Sequence, residues 1–266
     1  MSGPRVGVTG ARKGAELAIA FERRGAWVLQ GQTLGGDRPA GDAELAAALD
    51  RLAGLEPRWL AASTGTGMRL LGSAAERTGR QETLRATLAG CTAVARGAKA
   101  AGVLRNLGLD PAWGAPDELD SQVEDWLAAR VRPGEVVAVQ RHGAAGHPYT
   151  RLADAGIVLE TLTPYVSAPP EDARPGIRLA RAAADGELDV VTFTSAGAVQ
   201  GLEALAGDSG LGARLRAALA GPVAVAVVGP VTREAARRTG YTVTIEPTPP
   251  RSGALVRAVM DWWHTR

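Results

Sequence analysis

An internal repeat constrains the fold of this chain more than any other feature of its sequence. The segment that begins at Val6 (VGVTGARKGAELAIAFERRGAWVLQGQTL) has the same plan as the segment that begins at Val136 (VVAVQRHGAAGHPYTRLADAGIVLETLTPY). Each predicts a strand, a polar turn, a helix, a glycine and a second strand. A plan that recurs in this way predicts two related domains, which the length of 266 residues can accommodate.

Two further blocks recur in the same order. The run RWLAASTGTGMRLL contains Ser63 and matches LDVVTFTSAGAVQGL, which contains Ser195, and the two serines are 132 positions apart. The run TAVARGAKAAGVLRNLG matches AVAVVGPVTREAARRTG, and Gly97 and Gly229 of these runs are again 132 positions apart. Three blocks in one order at nearly one spacing predict that the two halves share one fold.

Short apolar runs rich in valine and alanine alternate with segments of helical period, which is typical of parallel sheets covered by helices. The sequence therefore predicts an α/β fold with a parallel sheet in each domain. The predicted strands include Val6–Thr9, Leu60–Ser63, Thr92–Ala95, Val136–Val139, Val190–Phe193 and Val223–Val228. Helices are predicted to end before the C-capping glycines Gly25, Gly108, Gly156 and Gly240.

The domain boundaries are predicted from two proline-containing breaks. The run SAPPEDARPG follows a predicted strand over Val158–Val166, and the repeat partner of that strand, Trp27–Leu34, is followed by GGDRPAGD. We therefore expect residues 1–35 and 167–266 to form one domain and residues 36–166 to form the other. Two linker strands, of about residues 27–36 and 158–168, are expected to lie side by side between them.

Composition excludes several classes of function. Thirty Lys and Arg against 28 Asp and Glu give a net charge of +2, without the basic surplus that nucleic-acid binding needs. One cysteine, Cys91, excludes an internal disulfide framework, and no histidine and carboxylate pair recurs at ligand spacing, so we expect no metal. The first residues, MSGPRVGVTGARKG, resemble neither a secretion signal nor a membrane span, and we expect a cytoplasmic protein.

Candidate ligand contacts lie in the turns after the predicted strands, because doubly wound sheets bind ligands beyond the carboxyl ends of their strands. Almost every turn joins small residues to a hydroxyl or a cation, which suits carboxylate or phosphate ligands. The same residues are also ordinary helix N-caps, and both interpretations remain open. The turns are Thr9-Gly10-Ala11-Arg12-Lys13, Ser63-Thr64-Gly65-Thr66-Gly67, Arg96-Gly97-Ala98-Lys99, Arg141-His142-Gly143, Thr194-Ser195-Ala196-Gly197 and Gly229-Pro230-Val231-Thr232-Arg233.

Common catalytic motifs are missing from the sequence. It contains no GxGxxG after a strand, no GxxxxGK[ST] and no GxSxG, and no paired carboxylates stand at a strand end. This pattern favours a chemistry that works mainly by orienting its substrate.

The runs TFTSAGAVQGL, VAVVGPVTREAARRTGY and IVLETLTPYVS resemble the uroporphyrinogen-III synthases over essentially the whole chain. The chain is most similar to bacterial members with a TTGxGxR-like turn, here Ser63 to Arg69, and an LARGAKAA-like helix start, here Val94 to Ala101. The resemblance implies two HemD-like, flavodoxin-like domains joined by a two-stranded ladder. It also implies a reaction without cofactor, in which hydroxymethylbilane loses its hydroxyl as water, its terminal ring is inverted through a spiro intermediate, and the ring closes as uroporphyrinogen III.

The resemblance also implies roles for particular residues. Tyr165 matches the tyrosine of the Val-Tyr motif, with Pro164 in place of the apolar residue before it, and would assist departure of the hydroxyl. The alternative is a tyrosine that packs in the linker with its hydroxyl in water. The family's Thr-Arg-Pro after the first strand is here Thr9-Gly10-Ala11-Arg12, which displaces the arginine by two positions. Candidate ligands of the eight substrate carboxylates are Thr9, Arg12, Ser63, Thr64, Gly65, Arg96, Lys99, Arg141, Thr194, Ser195, Ala196, Gly229 and Thr232.

Two other functions compete with the enzyme. Some similar proteins carry a C-terminal winged-helix DNA-binding domain and use the synthase-like part as a tetrapyrrole sensor, but this chain ends at Arg266 just after the predicted helix Ser252–Trp263. A two-lobed solute-binding protein would need an export signal, which the first residues of this sequence do not resemble. We therefore expect an enzyme whose partner is hydroxymethylbilane, with scope for direct hand-over from hydroxymethylbilane synthase, and which binds neither nucleic acid nor membrane. We expect a monomer, because no helix pattern shows a long exposed apolar seam.

Overall fold

The computed structural model describes residues 3–10, 12–141 and 149–266, without the side chains of residues 12 and 13. The chain forms two compact units. Unit 1 consists of Met1–Gly36 and Ala168–Arg266, and unit 2 consists of Asp37–Ser167. The chain thus begins in unit 1, completes unit 2 and returns to unit 1.

The strands are short, as the length of the apolar runs predicts. In chain order they are β1 (Arg5–Val8), β2 (Trp27–Gln30), β3 (Asp37–Pro39), β4 (Trp59–Ala62), β5 (Thr92–Ala95), β6 (Trp113–Gly114), β7 (Val136–Gln140), β8 (Val158–Leu162), β9 (Tyr165–Ser167), β10 (Val190–Phe193), β11 (Ala224–Val227) and β12 (Val243–Ile245).

Helices follow most of these strands. They are α1 (Arg12–Glu22), α2 (Asp42–Leu55), α3 (Gly65–Arg77), α4 (Gln81–Ala89), α5 (Ala98–Asn106), α6 (Asp120–Ala128), α7 (Thr150–Asp154), α8 (Arg174–Ala184), α9 (Ala196–Asp208), α10 (Gly212–Ala220), α11 (Pro230–Arg238) and α12 (Ser252–His264). The four predicted C-capping glycines all have positive φ, which confirms that part of the helix prediction.

Unit 1 contains a parallel sheet with the strand order β12-β11-β10-β1-β2. On one face, Leu179 and Leu202 belong to a buried cluster with Phe193 of the sheet. On the other face, Phe21 of α1 and Leu255 of α12 pack in a second buried cluster. Because helices cover both faces, the valines and alanines of the inner strands β1, β10 and β11 are buried on both sides.

Unit 2 repeats this plan with the order β6-β5-β4-β7-β8. Helices α2 to α5 contribute to the buried cluster on one face, and α6 contributes to the cluster on the other. When each strand is numbered by its place in the repeat, both sheets have the flavodoxin-like order 2-1-3-4-5. The predicted α/β fold with two parallel sheets is confirmed.

The order of the strands reverses between β1 and β10 in unit 1 and between β7 and β4 in unit 2. In folds of this kind the crevice at such a switch point is the usual place for a ligand, beyond the carboxyl ends of the strands. Each unit therefore has one carboxyl edge at which a site is expected.

A short antiparallel ladder lies where the chain passes between the units, and it differs from the prediction. Strand β3 pairs with β9, so that Pro39 lies opposite Tyr165, whereas residues 27–30 and 158–162 form edge strands of the two sheets. The predicted long strand over 158–166 is broken at Pro164, which has no N–H to donate and whose carbonyl accepts a bond from Ala40 N, 2.9 Å away.

The repeat is also shifted by one residue from the alignment predicted for its second block. Strands β4 and β10, and helices α3 and α9, begin 131 positions apart, so Thr64 corresponds to Ser195 as the N-cap residue. The alignment of Ser63 with Ser195 was therefore wrong by one position. The same spacing of 131 places Gln140 at the position that Thr9 has in unit 1.

Candidate active site

The carboxyl edge of unit 2 brings Tyr165 against the first turn of α3. The Tyr165 hydroxyl donates a hydrogen bond to Thr64 Oγ1, 3.1 Å away, and Thr64 Oγ1 also accepts a bond of 3.0 Å from Gly67 N as the N-cap of the helix. Only 4% of Tyr165 is exposed. The phenol is therefore buried and attached to a helix cap, in contrast to the alternative in which its hydroxyl lies in water.

Burial raises the pKa of Tyr165, and the nearby carboxylate of Asp37 raises it further. The bond to Thr64 and the positive charge of Arg96 act in the opposite direction. Because the net direction is upward, the phenol is protonated at neutral pH and keeps the proton that it donates to Thr64.

Gln140 contacts Thr64 next to the Tyr165–Thr64 hydrogen bond, and it was not among the residues predicted from the sequence. Its side chain is fully buried. Its Oε1 accepts a bond of 3.0 Å from Thr64 N, and its Nε2 donates a bond of 3.0 Å to the carbonyl of Arg141. The amide thus joins the end of β7 to the N-cap of α3 across the switch point.

Arg96, at the end of β5, is paired with Asp120. Their side chains are 3.1 Å apart and each is about a quarter exposed, 23% and 24%. Asp120 Oδ1 is buried and has no hydrogen-bond partner among the described residues. Burial lowers the pKa of Arg141, and the charge of Asp120 opposes this. Asp120, also missed by the sequence analysis, is therefore the carboxylate that balances two of the predicted cations.

Ser63 and Gly65 flank the Thr64 cap. Ser63 is buried, and the pKa of the fully buried Tyr149 is raised mainly by burial and lowered in part by the Ser63 side chain. A Cβ atom at Gly65 would lie 2.6 Å from the carbonyl oxygen of Lys99, so only glycine fits there. Gly65 therefore has a structural reason for its identity.

Lys99 lies in the first turn of α5 with an exposed side chain. At the start of the same helix, Ala98 N donates a bond of 3.3 Å to the Glu118 carboxylate. A carboxylate from the chain itself thus occupies part of this helix terminus, which illustrates the chemistry that the terminus favours.

In unit 1 the predicted residues also lie at one carboxyl edge. The buried Thr9 hydroxyl donates to the carbonyl of Thr192, 2.8 Å away. Exposed Ser195 caps α9 by accepting a bond of 3.2 Å from Ala198 N, and it lies between Thr194 and Ala196, which are both half-buried. Capping is thus an observed role of Ser195, as it is of Thr64.

Two further residues of this edge belong to the start of α11. Gly229 is its N-cap and is extended, and a Cβ atom there would lie 2.8 Å from Pro250 Cβ. Thr232 is buried in the first turn of the helix. Arg12 begins α1, but its side chain lies outside the described residues, as do His142 and Gly143 of the predicted turn after Arg141.

Within the described residues, no group of three His, Cys, Asp or Glu side chains is placed to hold a metal ion. His142 and His147 lie outside those residues, so the absence of a metal remains a prediction. In the same part of the chain, no helix is both long and apolar enough to span a bilayer.

The fold and the polar carboxyl edges define a two-unit α/β protein with flavodoxin-like sheets. The chain belongs to the uroporphyrinogen-III synthase HemD family, whose model matches residues 15–257. This membership confirms the resemblance found in the sequence and, with the fold, supports a HemD-like function of lyase type.

Solved structures and a bacterial relative extend this similarity over almost the whole chain. A mutant uroporphyrinogen III synthase from the extremely thermophilic bacterium Thermus thermophilus has 27% identity and a TM-score of 0.75, with 99% of this chain and 100% of that chain covered. The wild-type protein gives 27% identity and a TM-score of 0.67, with 98% of each chain covered. The uncharacterized protein YjjA of Bacillus subtilis (strain 168) is 28% identical over 265 residues, which are 99% of this chain and 97% of YjjA.

Proposed function

We propose that this chain converts hydroxymethylbilane into uroporphyrinogen III and that the Tyr165 phenol assists loss of the substrate hydroxyl. The observation that carries this proposal is the buried hydrogen bond from Tyr165 to Thr64, at the carboxyl edge of a sheet. Membership of the synthase family supplies the reaction class, and the contacts within unit 2 supply the position of the phenol.

The phenol suits the first chemical step. When the carbon–oxygen bond of the hydroxymethyl group breaks, the departing oxygen takes the electron pair and needs a proton to leave as water. The one O–H of Tyr165 donates to Thr64 Oγ1 in the free chain; when the substrate binds, it turns to the departing oxygen and supplies the proton there. Burial makes the phenol harder to ionise, and the positive charge of Arg96 opposes this effect in part.

Each carboxylate of the substrate needs hydrogen-bond donors or a cation that compensate its negative charge when it leaves water. The helix termini at Gly65 and Ala196 offer backbone N–H groups, and the exposed side chain of Lys99 offers a cation. Ser195 and Thr232 add hydroxyls at the edge of unit 1. We assign these groups to the carboxylates as binding residues. The positive charges of Arg96 and Arg141 are instead balanced by the carboxylate of Asp120.

Control of the product isomer follows from positioning. The bilane can close without inversion of its terminal ring, so the enzyme must favour the transition state that leads to inversion. Groups fixed by buried hydrogen bonds are suited to this task, because they lose little additional freedom when the substrate binds.

The proposal is tested by supplying freshly made hydroxymethylbilane with and without the protein, oxidising the products and separating isomers I and III by chromatography. Predominantly isomer III in the presence of the protein supports the proposed activity. If a folded chain binds the bilane but the product is only isomer I, the activity is wrong and the chain is a non-catalytic tetrapyrrole-binding module.

A further inference from the structure

Gln140 is a buried residue of unit 2 that has no role in the proposed reaction steps. It ends β7 at the switch point of unit 2, and none of its side chain is exposed. Both ends of its amide are engaged, with Thr64 N on one side and the Arg141 carbonyl on the other, each at 3.0 Å. Its Nε2 is also 3.5 Å from Thr64 Oγ1, the atom that accepts the Tyr165 hydrogen bond.

The packing around this amide is tight on the side of α3. A Cβ atom built at Gly67 would lie 2.0 Å from Gln140 Nε2 and 2.6 Å from its Cδ. Gly67 is in the first turn of the helix, and its N–H donates to Thr64 Oγ1. The glycine therefore makes room for the amide, and the amide and the glycine together hold Thr64 from two sides.

Unit 1 has no buried amide at the position that corresponds to Gln140. The position of Gln140 is taken in unit 1 by Thr9, whose hydroxyl bonds the neighbouring strand at the Thr192 carbonyl. The counterpart of Gly67 is Ala198, which has a Cβ atom and whose N–H donates to the N-cap residue Ser195 in the same way. A long buried amide is thus not required to cap such a helix, and it occurs in the unit that carries Tyr165.

We propose that Gln140 is a positioning residue for the reaction, whose buried amide fixes Thr64 and through it the Tyr165 phenol. This inference rests on the role proposed above for Tyr165. A backbone N–H and a side-chain hydroxyl of one residue are held together, so the acceptor that orients the phenol has little freedom to move. The expected effect is on kcat rather than on KM, because the amide is buried and does not face the substrate.

The test is a double-mutant cycle between Gln140→Met and Tyr165→Phe, read by the rate of isomer III formation. Methionine keeps the length of the side chain and removes both hydrogen-bonding groups. We expect Gln140→Met to lower kcat by about tenfold to a hundredfold, with KM changed by less than about threefold. In the Tyr165→Phe background the same change should have little further effect, because the residue on which Gln140 acts is already disabled.

Thr192→Val is the matched control, because it removes a buried hydrogen bond of 3.0 Å to Gly7 O inside the sheet of unit 1. It should leave kcat unchanged. If Gln140→Met does not fold, Gln140→Leu takes its place in the cycle, since it also removes both hydrogen-bonding groups of the side chain.

A spectroscopic measurement separates positioning from general loosening of the structure. With fluorotyrosine incorporated, the ¹⁹F signal that Tyr165→Phe removes should shift in the Gln140 variant, while the signal of Tyr241 in unit 1 should stay in place. Equal losses of kcat in both backgrounds, or an unmoved Tyr165 signal, would overturn the role of Gln140. The proposed function itself fails separately, if the unmodified chain forms no isomer III or if Tyr165→Phe is fully active.

Discussion

Alanine at Gly67 and at Gly72 should change the stability of unit 2 in opposite directions, although both positions lie in α3. At Gly67 the new Cβ would lie 2.0 Å from Gln140 Nε2 and 2.9 Å from Thr64 Oγ1. At Gly72 the nearest atom within 4 Å is Leu107 Cδ2, at 3.8 Å, which is an ordinary contact.

The magnitudes follow from these distances. Overpacking at Gly67 costs about 1–3 kcal/mol, and displacing the fully buried amide leaves Thr64 N without its acceptor, which costs about 1–3 kcal/mol more. The better helix propensity of alanine returns about 1 kcal/mol. Gly67→Ala should therefore lower the free energy of unfolding by about 1–5 kcal/mol, whereas Gly72→Ala should raise it by up to about 1 kcal/mol.

The assay is urea unfolding followed by far-ultraviolet circular dichroism and by tryptophan fluorescence, to which Trp59, Trp113 and Trp126 of unit 2 contribute. Combining Gly67→Ala with Gln140→Ala tests the cause, because a shortened side chain no longer meets the new methyl group. A clash between the new methyl group and Gln140 is excluded if Gly67→Ala is as stable as Gly72→Ala, or if truncating Gln140 does not reduce the loss of stability in Gly67→Ala.

Three other outcomes are expected. Asp120→Asn should lower the stability of unit 2 by about 1–2 kcal/mol in thermal unfolding, because Arg96 and Arg141 lose their shared carboxylate while the Arg96–Asp120 pair is only partly buried; an unchanged midpoint would contradict this. Lys99→Gln should raise KM for the bilane by about threefold to tenfold with kcat unchanged, and the effect should shrink at high salt. Burial raises the pKa of Cys91 from 9.0 to about 11, so iodoacetamide should alkylate the native chain slowly at pH 8 and the unfolded chain quickly. A native chain that is alkylated as fast as the unfolded one would refute this shift of the pKa. By linkage, the stability that this thiol contributes is complete below pH 9 and is lost as the pH rises from there towards about 11.

Much of the fold could be predicted because the repeat and the apolar runs express the same constraint. Strands over Thr92–Ala95 and Val190–Phe193 have the predicted bounds, since runs buried on both faces of a parallel sheet are continuously apolar. The linker strands could not be located in the same way. Their apolar residues continue through Pro164, and only the loss of a backbone donor there separates β8 from β9.

The candidate site was predictable in outline and not in its connections. Strand ends followed by small residues and hydroxyls indicate where a ligand lies in a doubly wound sheet, and this rule placed Thr64 and Arg96 at one edge. Gln140 and Asp120 gave no such signal, because a polar residue after a strand or at a helix start is ordinary. Their partners lie 76 and 24 positions away. The glycine at position 67, inside a helix start, was the one sign in the sequence of a buried neighbour there.

The proposed role of Tyr165 is best tested by comparing the rate of isomer III formation in the unmodified chain, Tyr165→Phe and Tyr241→Phe. Tyr241 is the matched control, because it is a buried tyrosine of unit 1 whose hydroxyl donates to the Glu203 carboxylate, 2.8 Å away. We expect isomer III from the unmodified chain, a loss of kcat of about tenfold to a thousandfold in Tyr165→Phe and unchanged kcat in Tyr241→Phe. Equal activity of the two variants, or isomer I as the only product of the unmodified chain, would contradict this expectation.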